Sequence, residues 1–402
     1  MRRTGIFCLL FFAGYILPAQ DHVEWRYDRT GIYKETGLLK SWPSGGPELL
    51  WHYDGLGEGH SSATIGANKI YITGLTDGKG YLYVFDMNGK LLDKKEYGNE
   101  WNVSYNGSRG SVIPNDGKLY VVSGTGNVVC FDQNSLNIVW EKSYTKDYDG
   151  QIPKYGVNES PLIVGEKLIL TPGGTEHNII AVNKNTGNLI WSSKAKGDVS
   201  SYCCPIYLSD QQVPQIVTMT GHNVVGIDIS NGNMLWSYPF TNRFFEHPNT
   251  PVYGGDNMIL CTSSYKIGSV MLKLTNGGRQ VEQVWTAPQL DCRTGHMLKI
   301  GDYAYGAGDY GKGWYCVNWK TGEQAYEDRS LPSGVIIAAD GMLYCYSEKG
   351  DMALVKATPE KFDLISKFPI TLGTDQHWAH PVIYQGVLYV RHGNTLMAYK
   401  IK

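Results

Sequence analysis

A nine-residue phrase that returns along the chain constrains its fold more than any other feature. Asn183-Lys-Asn-Thr-Gly-Asn-Leu-Ile-Trp191 recurs as Asp228-Ile-Ser-Asn-Gly-Asn-Met-Leu-Trp236. It is weaker from Asp132 to Trp140 and from Asn318 to Tyr326, where Thr321-Gly322 survives. Each copy reads as a strand, a tight turn built on a residue that tolerates positive φ, and a second strand carrying an aromatic. Ahead of each copy lies an apolar strand pair around another turn, as in Pro161–Leu170. Aligned on the aromatic, the units fall at Trp51, Asp93, Trp140, Trp191, Trp236, Trp285, Tyr326 and Ser366, 40 to 51 residues apart. Four strands per unit at that period is the signature of a β-propeller, and the count predicts an all-β fold of eight blades. Only residues 367–402 follow Ser366, room for three strands. The missing outer strand is expected from Glu48–Tyr53, which carries Trp51; closing the last blade this way leaves no open sheet edge. The five Trp rings at the repeat position are expected between blades, as scaffold.

Composition agrees. The chain has 48 Gly, 28 Tyr and 11 Trp with only 18% charged residues, a mix that suits short strands and tight turns better than helices. A formal charge of −2, with no basic run beyond the first three residues, excludes nucleic acid as a partner. Residues 1–20 stand apart: Arg2 and Arg3, an apolar run from Ile6 to Leu17, then Pro18-Ala19-Gln20. This is the secretory-signal pattern, too short to span a bilayer. No cysteine follows it to carry a lipid, and no later segment is apolar enough to cross a membrane, so an exported, soluble protein, periplasmic or secreted, is expected. The organisation is then a signal over 1–20, an N-terminal segment over 21–47 and a single propeller over 48–402. Loss of the signal leaves Cys130, Cys203, Cys204, Cys261, Cys292, Cys316 and Cys345. An odd number set in apolar strands predicts small buried hydrophobes rather than a disulfide framework.

The Asx-x-x-Thr-Gly-x-x-x-Trp phrase resembles the repeat of pyrroloquinoline-quinone-dependent dehydrogenases and of the wider PQQ-like propeller superfamily. That superfamily includes the lipoprotein of the bacterial outer-membrane β-barrel assembly machinery. Trp25, Arg29, Gly31 and the stretch from Gly37 to Trp51 are similar to the opening of a secreted bacterial subgroup. The resemblance covers the mature chain and implies the fold; one propeller hosts many functions. It also implies quinone as the candidate cofactor, since the dehydrogenases set a vicinal disulfide against it and Cys203-Cys204 invites the comparison. Their quinone-side Asp and Ca²⁺ ligands find no match here, no Cys-x-x-Cys-His offers a haem site, and no cofactor is expected from the residues themselves.

The topology sorts the loops. In each blade the connection into the next innermost strand and the hairpin between the second and third strands share one face; the remaining turns are short and lie on the other. Eight of the ten histidines fall on the first face, all but His22 and His52. Residues preceding the innermost strands should ring the mouth of the central channel. The candidate ligand-binding residues are accordingly His60, Arg109, Asn158, Glu159, Tyr202, His296, Trp378 and His380. Arg109, Glu159, His296 and His380 form the expected polar set: a cation, a carboxylate and two imidazoles suited to an anionic or sugar-like ligand. Tyr202 and Trp378 are the expected stacking surfaces. His296 and His380 lack the short fixed spacing of a metal site, and none is expected. Gly306 to Lys312 has phosphate-loop spacing, but Gly313 stands where Ser or Thr is required. Three classes stay open: a module binding a ligand (a carbohydrate among them) or a protein partner, a lyase-like carbohydrate-active enzyme on the same face, and a quinone-dependent oxidoreductase. No catalytic residue is assigned, and the first class leads.

Overall fold

The computed structural model describes residues 22–310 and 312–402; the signal reading of residues 1–20 lies outside them. Eight antiparallel sheets of four propeller strands each follow one another around a ring, two of them extended by a fifth strand. The innermost strands are Thr64–Gly66, Ile113–Asn115, Leu162–Val164, Ile206–Leu208, Val252–Tyr253, Met297–Ile300, Gly334–Ala339 and Val382–Tyr384, opening blades 1 to 8 in turn. The predicted closure is present. Leu49–Tyr53 pairs antiparallel with Leu396–Tyr399 and forms the outer strand of blade 8.

The repeat has a packing explanation. All eight aligned positions sit on the outermost strand of a blade beside a β-bulge, from Trp51 opposite Ala398 to Ser366 opposite Leu354. The bulge sharpens the twist and aims the aromatic toward the following blade. There Trp140 meets the turn Asn183–Gly187 of the next blade, its indole N–H donating to the Lys184 carbonyl at 2.9 Å. Trp191 repeats the bond with Ile229 at 2.9 Å and Trp285 with Trp319 at 3.1 Å. The Thr-Gly of the phrase follows from this contact. Gly187 has φ of 71°, and a Cβ there would stand 2.8 Å from the Trp140 ring. The turn glycine of one blade and the Trp of the preceding one are therefore a single packing unit, which is why they recur together.

The N-terminal segment does what the repeat does not foretell: it fills the channel. His22–Val23 adds antiparallel to the innermost strand of blade 1, and Ile32–Tyr33 adds parallel to that of blade 7. Innermost strands present unpaired backbone groups to the channel, a costly state when buried. The crossing segment satisfies several. Arg26 donates to the carbonyls of Ile336 (3.1 Å) and Met297 (3.5 Å), and Arg29 to those of Ser160 (3.1 Å), Pro161 (2.5 Å) and Pro205 (3.3 Å). A guanidinium suits this work because it carries five donors in a rigid plane. The path is tight: Arg26, Tyr27 and Arg29 all have left-handed φ, between 53° and 74°, which non-glycine residues hold only when their surroundings impose it. Downstream, Trp42 lies against Tyr344 and Phe368 and donates to the Met352 carbonyl at 3.1 Å.

Candidate functional site

Where the segment fills the channel, the loops of the histidine-bearing face leave a cavity of about 190 Å³. Trp25 bounds it from the channel side; its ring packs edge-on to His296 at 5.2 Å and to His380 at 6.1 Å. One wall is a contiguous aromatic arc from five different blade connections. His60 lies 5.1 Å from Trp378, Trp378 5.4 Å from Tyr105, Tyr105 5.8 Å from Tyr155, and Tyr155 6.4 Å from Tyr202. Tyr202 is fixed by its hydroxyl, which accepts from the Tyr155 backbone N–H at 3.1 Å. The other wall is polar. Glu246 accepts from the Tyr265 hydroxyl at 2.7 Å, and Arg293 is tied to Asp309 (3.5 Å) and Glu348 (3.3 Å). Tyr105, Tyr202 and His296 have φ of 46°, 70° and 61°. Bulky side chains are thus held on strained backbone where they line one cavity.

Seven of the eight residues expected from the sequence line this cavity: His60, Arg109, Asn158, Tyr202, His296, Trp378 and His380. Glu159 does not. It is 2% exposed, and one carboxylate oxygen accepts from the Tyr144 hydroxyl (2.5 Å), the Thr171 N–H (3.2 Å) and the Thr171 hydroxyl (3.0 Å). Burial pushes its pKa up to about 7, against the pull of those hydrogen bonds. Arg109 spends part of its guanidinium on its own loop, donating to the carbonyls of Ser104, Tyr105 and Gly107 at 2.6 to 3.2 Å. Burial lowers its pKa to about 10, leaving it charged at neutral pH.

The sequence brought eight histidines to this face, but only three reach the cavity. His177 and His222 are instead paired with Asp149 (2.8 Å) and Asp198 (3.0 Å), His377 stacks on His392, and His247 is buried beside Phe240. Burial first, then the charges of Arg391 and Arg109, lowers the pKa of His60 to about 3. Burial and Arg26 hold His296 and His380 well below the usual imidazole range, with the His296 ring adding to the effect on His380. All three are neutral near pH 7.

Sequence reasoning missed Trp25, Tyr105, Tyr155, Glu246, Tyr265 and Arg293 as lining residues, and Arg26 beneath them. Tyr105 and Tyr155 had a signal, since they lie in the long connections ahead of Arg109 and Asn158. Trp25 stood in the quoted opening motif, but nothing local marks a segment that will enter a channel.

The adjacent cysteines separate. The Cys204 thiol accepts from the Ser160 N–H at 3.3 Å in the core cluster that holds Trp25, while Cys203 accepts from Thr218 at 3.5 Å in the cluster with Cys261. Both are buried free thiols, and burial pushes Cys203 up to about 12. Among the described residues no group of three or more His, Cys, Asp or Glu is disposed to hold a metal, and the cavity's one lining carboxylate is Glu246. Six to eight oxygens is the usual demand of Ca²⁺. These residues do not fit a calcium-held quinone.

Comparison with solved structures finds BamB from Moraxella catarrhalis at 12% identity and a TM-score of 0.63, covering 88% of this chain and 100% of that one. A europium-containing methanol dehydrogenase matches at 13% identity and 0.63, over 92% of this chain and 90% of that one. Quinohemoprotein alcohol dehydrogenase from Comamonas testosteroni matches at 12% and 0.61, over 92% and 78%. At these identities the likeness is one of fold. No curated protein sequence matches. Among the described residues no helix is long and apolar enough to cross a membrane. The family model described as outer membrane protein assembly factor BamB matches residues 156–367, more than half of the chain, so the protein belongs to that PQQ-like β-propeller family.

Proposed function

We propose that the protein is an exported binding module whose ligand, a saccharide, enters the aromatic cup at the channel mouth. The observation that carries this reading is the cavity's two-sided wall. Five contiguous rings offer flat apolar faces, and Asn158, Glu246, Thr294 and Arg109 supply donors and acceptors around them. Sugars present this pairing of a C–H face and a hydroxyl edge, and cavities of this type fix orientation with a few polar groups. The Arg2-Arg3 and Ile6–Leu17 pattern supports export. Binding is favoured over acid–base catalysis because no cavity imidazole is tuned to neutral pH: His60 is held at about 3, whereas an efficient general base sits near the working pH. Burial raises the Tyr202 hydroxyl further from that range.

The test is a glycan array read both for retention and for cleaved products. Tyr105→Ala with Trp378→Ala should lose at least about tenfold in affinity, the usual consequence of truncating a central aromatic anchor. Lys167→Ala with Asn185→Ala, on the opposite face, should lose none. Equal loss from the second pair, or none from the first, overturns the assignment of the face. Released product would turn the reading to catalysis.

A further inference from the structure

Arg26 is fully buried beneath the cavity, and no carboxylate among the described residues pairs with it. Its partners are the carbonyls of Ile336, Met297 and Thr30, and one imidazole. That imidazole begins a chain. Arg26 Nη1 lies 3.0 Å from Nδ1 of His380, and Nε2 of His380 lies 3.0 Å from Nδ1 of His296. A guanidinium only donates, so Nδ1 of His380 accepts and is unprotonated. The neutral ring then carries its proton on Nε2, which donates to Nδ1 of His296. His296 is left with its own proton on Nε2. The Thr294 carbonyl also lies 3.3 Å from His296 Nδ1, but a proton placed there would force both nitrogens of His380 to accept, an imidazolate. One permanent cation thus sets two tautomers. The product is an N–H at His296 Nε2, a buried atom of a cavity-lining residue that has no hydrogen-bond partner among the described residues.

We propose that this N–H is the receptor for the carboxylate of an acidic sugar, so that the cavity selects uronate-bearing saccharides over neutral ones. The inference rests on the saccharide reading above and specifies its ligand. A donor fed by a cation through two hydrogen bonds is polarised along the chain, and such chains strengthen bond by bond in a low-dielectric interior. A carboxylate accepting from it supplies the charge that Arg26 lacks, while Arg109 adds positive potential and the pyranose ring lies against the aromatic arc. Arg26 is a positioning residue; it touches His380, not the ligand. Its left-handed backbone, with φ of 53° inside the turn from Glu24 to Tyr27, shows that the surroundings hold it in place at a conformational cost.

Two measurements test this. In protein labelled with ¹⁵N at histidine, long-range correlation spectra should show His296 and His380 as Nε2–H tautomers with Nδ1 unprotonated. A proton on Nδ1 of either ring overturns the relay without any ligand being needed. Calorimetry with trigalacturonate, its fully methyl-esterified form and neutral galactotriose should give at least roughly tenfold tighter binding of the acid, the size expected of one charge-assisted bond. His296→Phe, which keeps a ring but no donor, should bring the acid and its ester to equal affinity. Arg26→Met should release His380 to the other tautomer and weaken the preference in parallel. Equal affinity for acid, ester and galactotriose overturns the acidic-sugar assignment and leaves the saccharide reading standing; binding of none of the three, with an empty array, overturns both.

Discussion

Replacing Glu159 with glutamine should make the protein more stable, and only above a definite pH. The carboxyl is sealed inside blade 3, its ordinary pKa of 4.5 raised to about 7 by burial. Between those values the folded state keeps a proton that the unfolded chain has released. Wild-type stability therefore falls as pH rises through that window and stays low above it. At about 1.4 kcal/mol per decade the displacement is worth roughly 3 kcal/mol. The side-chain amide of the Glu159→Gln variant keeps a carbonyl oxygen for Tyr144 and Thr171 and places its NH₂ where the second carboxylate oxygen now has no partner, imitating the protonated acid without titrating. Unfolding entropy of about 2 cal/mol/K per residue gives roughly 0.8 kcal/mol/K for a chain of this length, so 3 kcal/mol is about 4 °C in Tm. Melting curves of wild type and E159Q at pH 5, 6, 7 and 8 should nearly coincide at pH 5 and separate by about 4 °C at pH 8, the variant higher. All other titrations are common to both proteins and cancel in the difference. Parallel curves across the range, or a gap that widens toward acid, would refute the claim that burial keeps this carboxyl protonated up to about pH 7.

Two further outcomes follow from the fold. Deleting residues 22–53 removes the channel filling and the outer strand of blade 8, exposing the Thr395–Lys400 edge; light scattering should report aggregation, and a monomer with unchanged melting would contradict closure from the N-terminal side. Cys203 and Cys204, both within 4% exposure, should resist a thiol-specific reagent in the native protein and react fully only in denaturant; fast native labelling of either would mean that the interior is open.

How much was legible in the sequence divides along one physical line. Whatever depends on contacts between neighbouring repeats could be read, because a Trp and the turn glycine it covers recur together from blade to blade. Trp140 over Gly187 and Trp191 over Gly232 are two instances of one contact, and repetition made it visible. The same regularity placed the cavity residues together: alternation of strand direction sends every connection that carries His60, Arg109, Asn158, Tyr202, His296, Trp378 and His380 to one end of the ring. Glu159 shows the limit of that argument. It adjoins Asn158, yet successive residues point to opposite sides of an extended chain; Asn158 faces the cavity and Glu159 the interior of its own blade.

What only the tertiary structure decided is everything that occurs once. The channel exists because eight innermost edges face each other across the axis, and which segment satisfies them depends on the closed ring, not on local pattern. Trp25, Arg26 and Arg29 carry no periodicity and no turn signal of their own. The roles of the two arginines come from carbonyls of blades 3, 4, 6 and 7, and that of Trp25 from the His296 and His380 rings, groups that meet only when the circle is complete. The tautomer of His296 is decided in the same way, through His380 from a residue 270 positions earlier in the chain. Repeated local packing leaves a record in sequence; a single convergence at the axis of a ring does not.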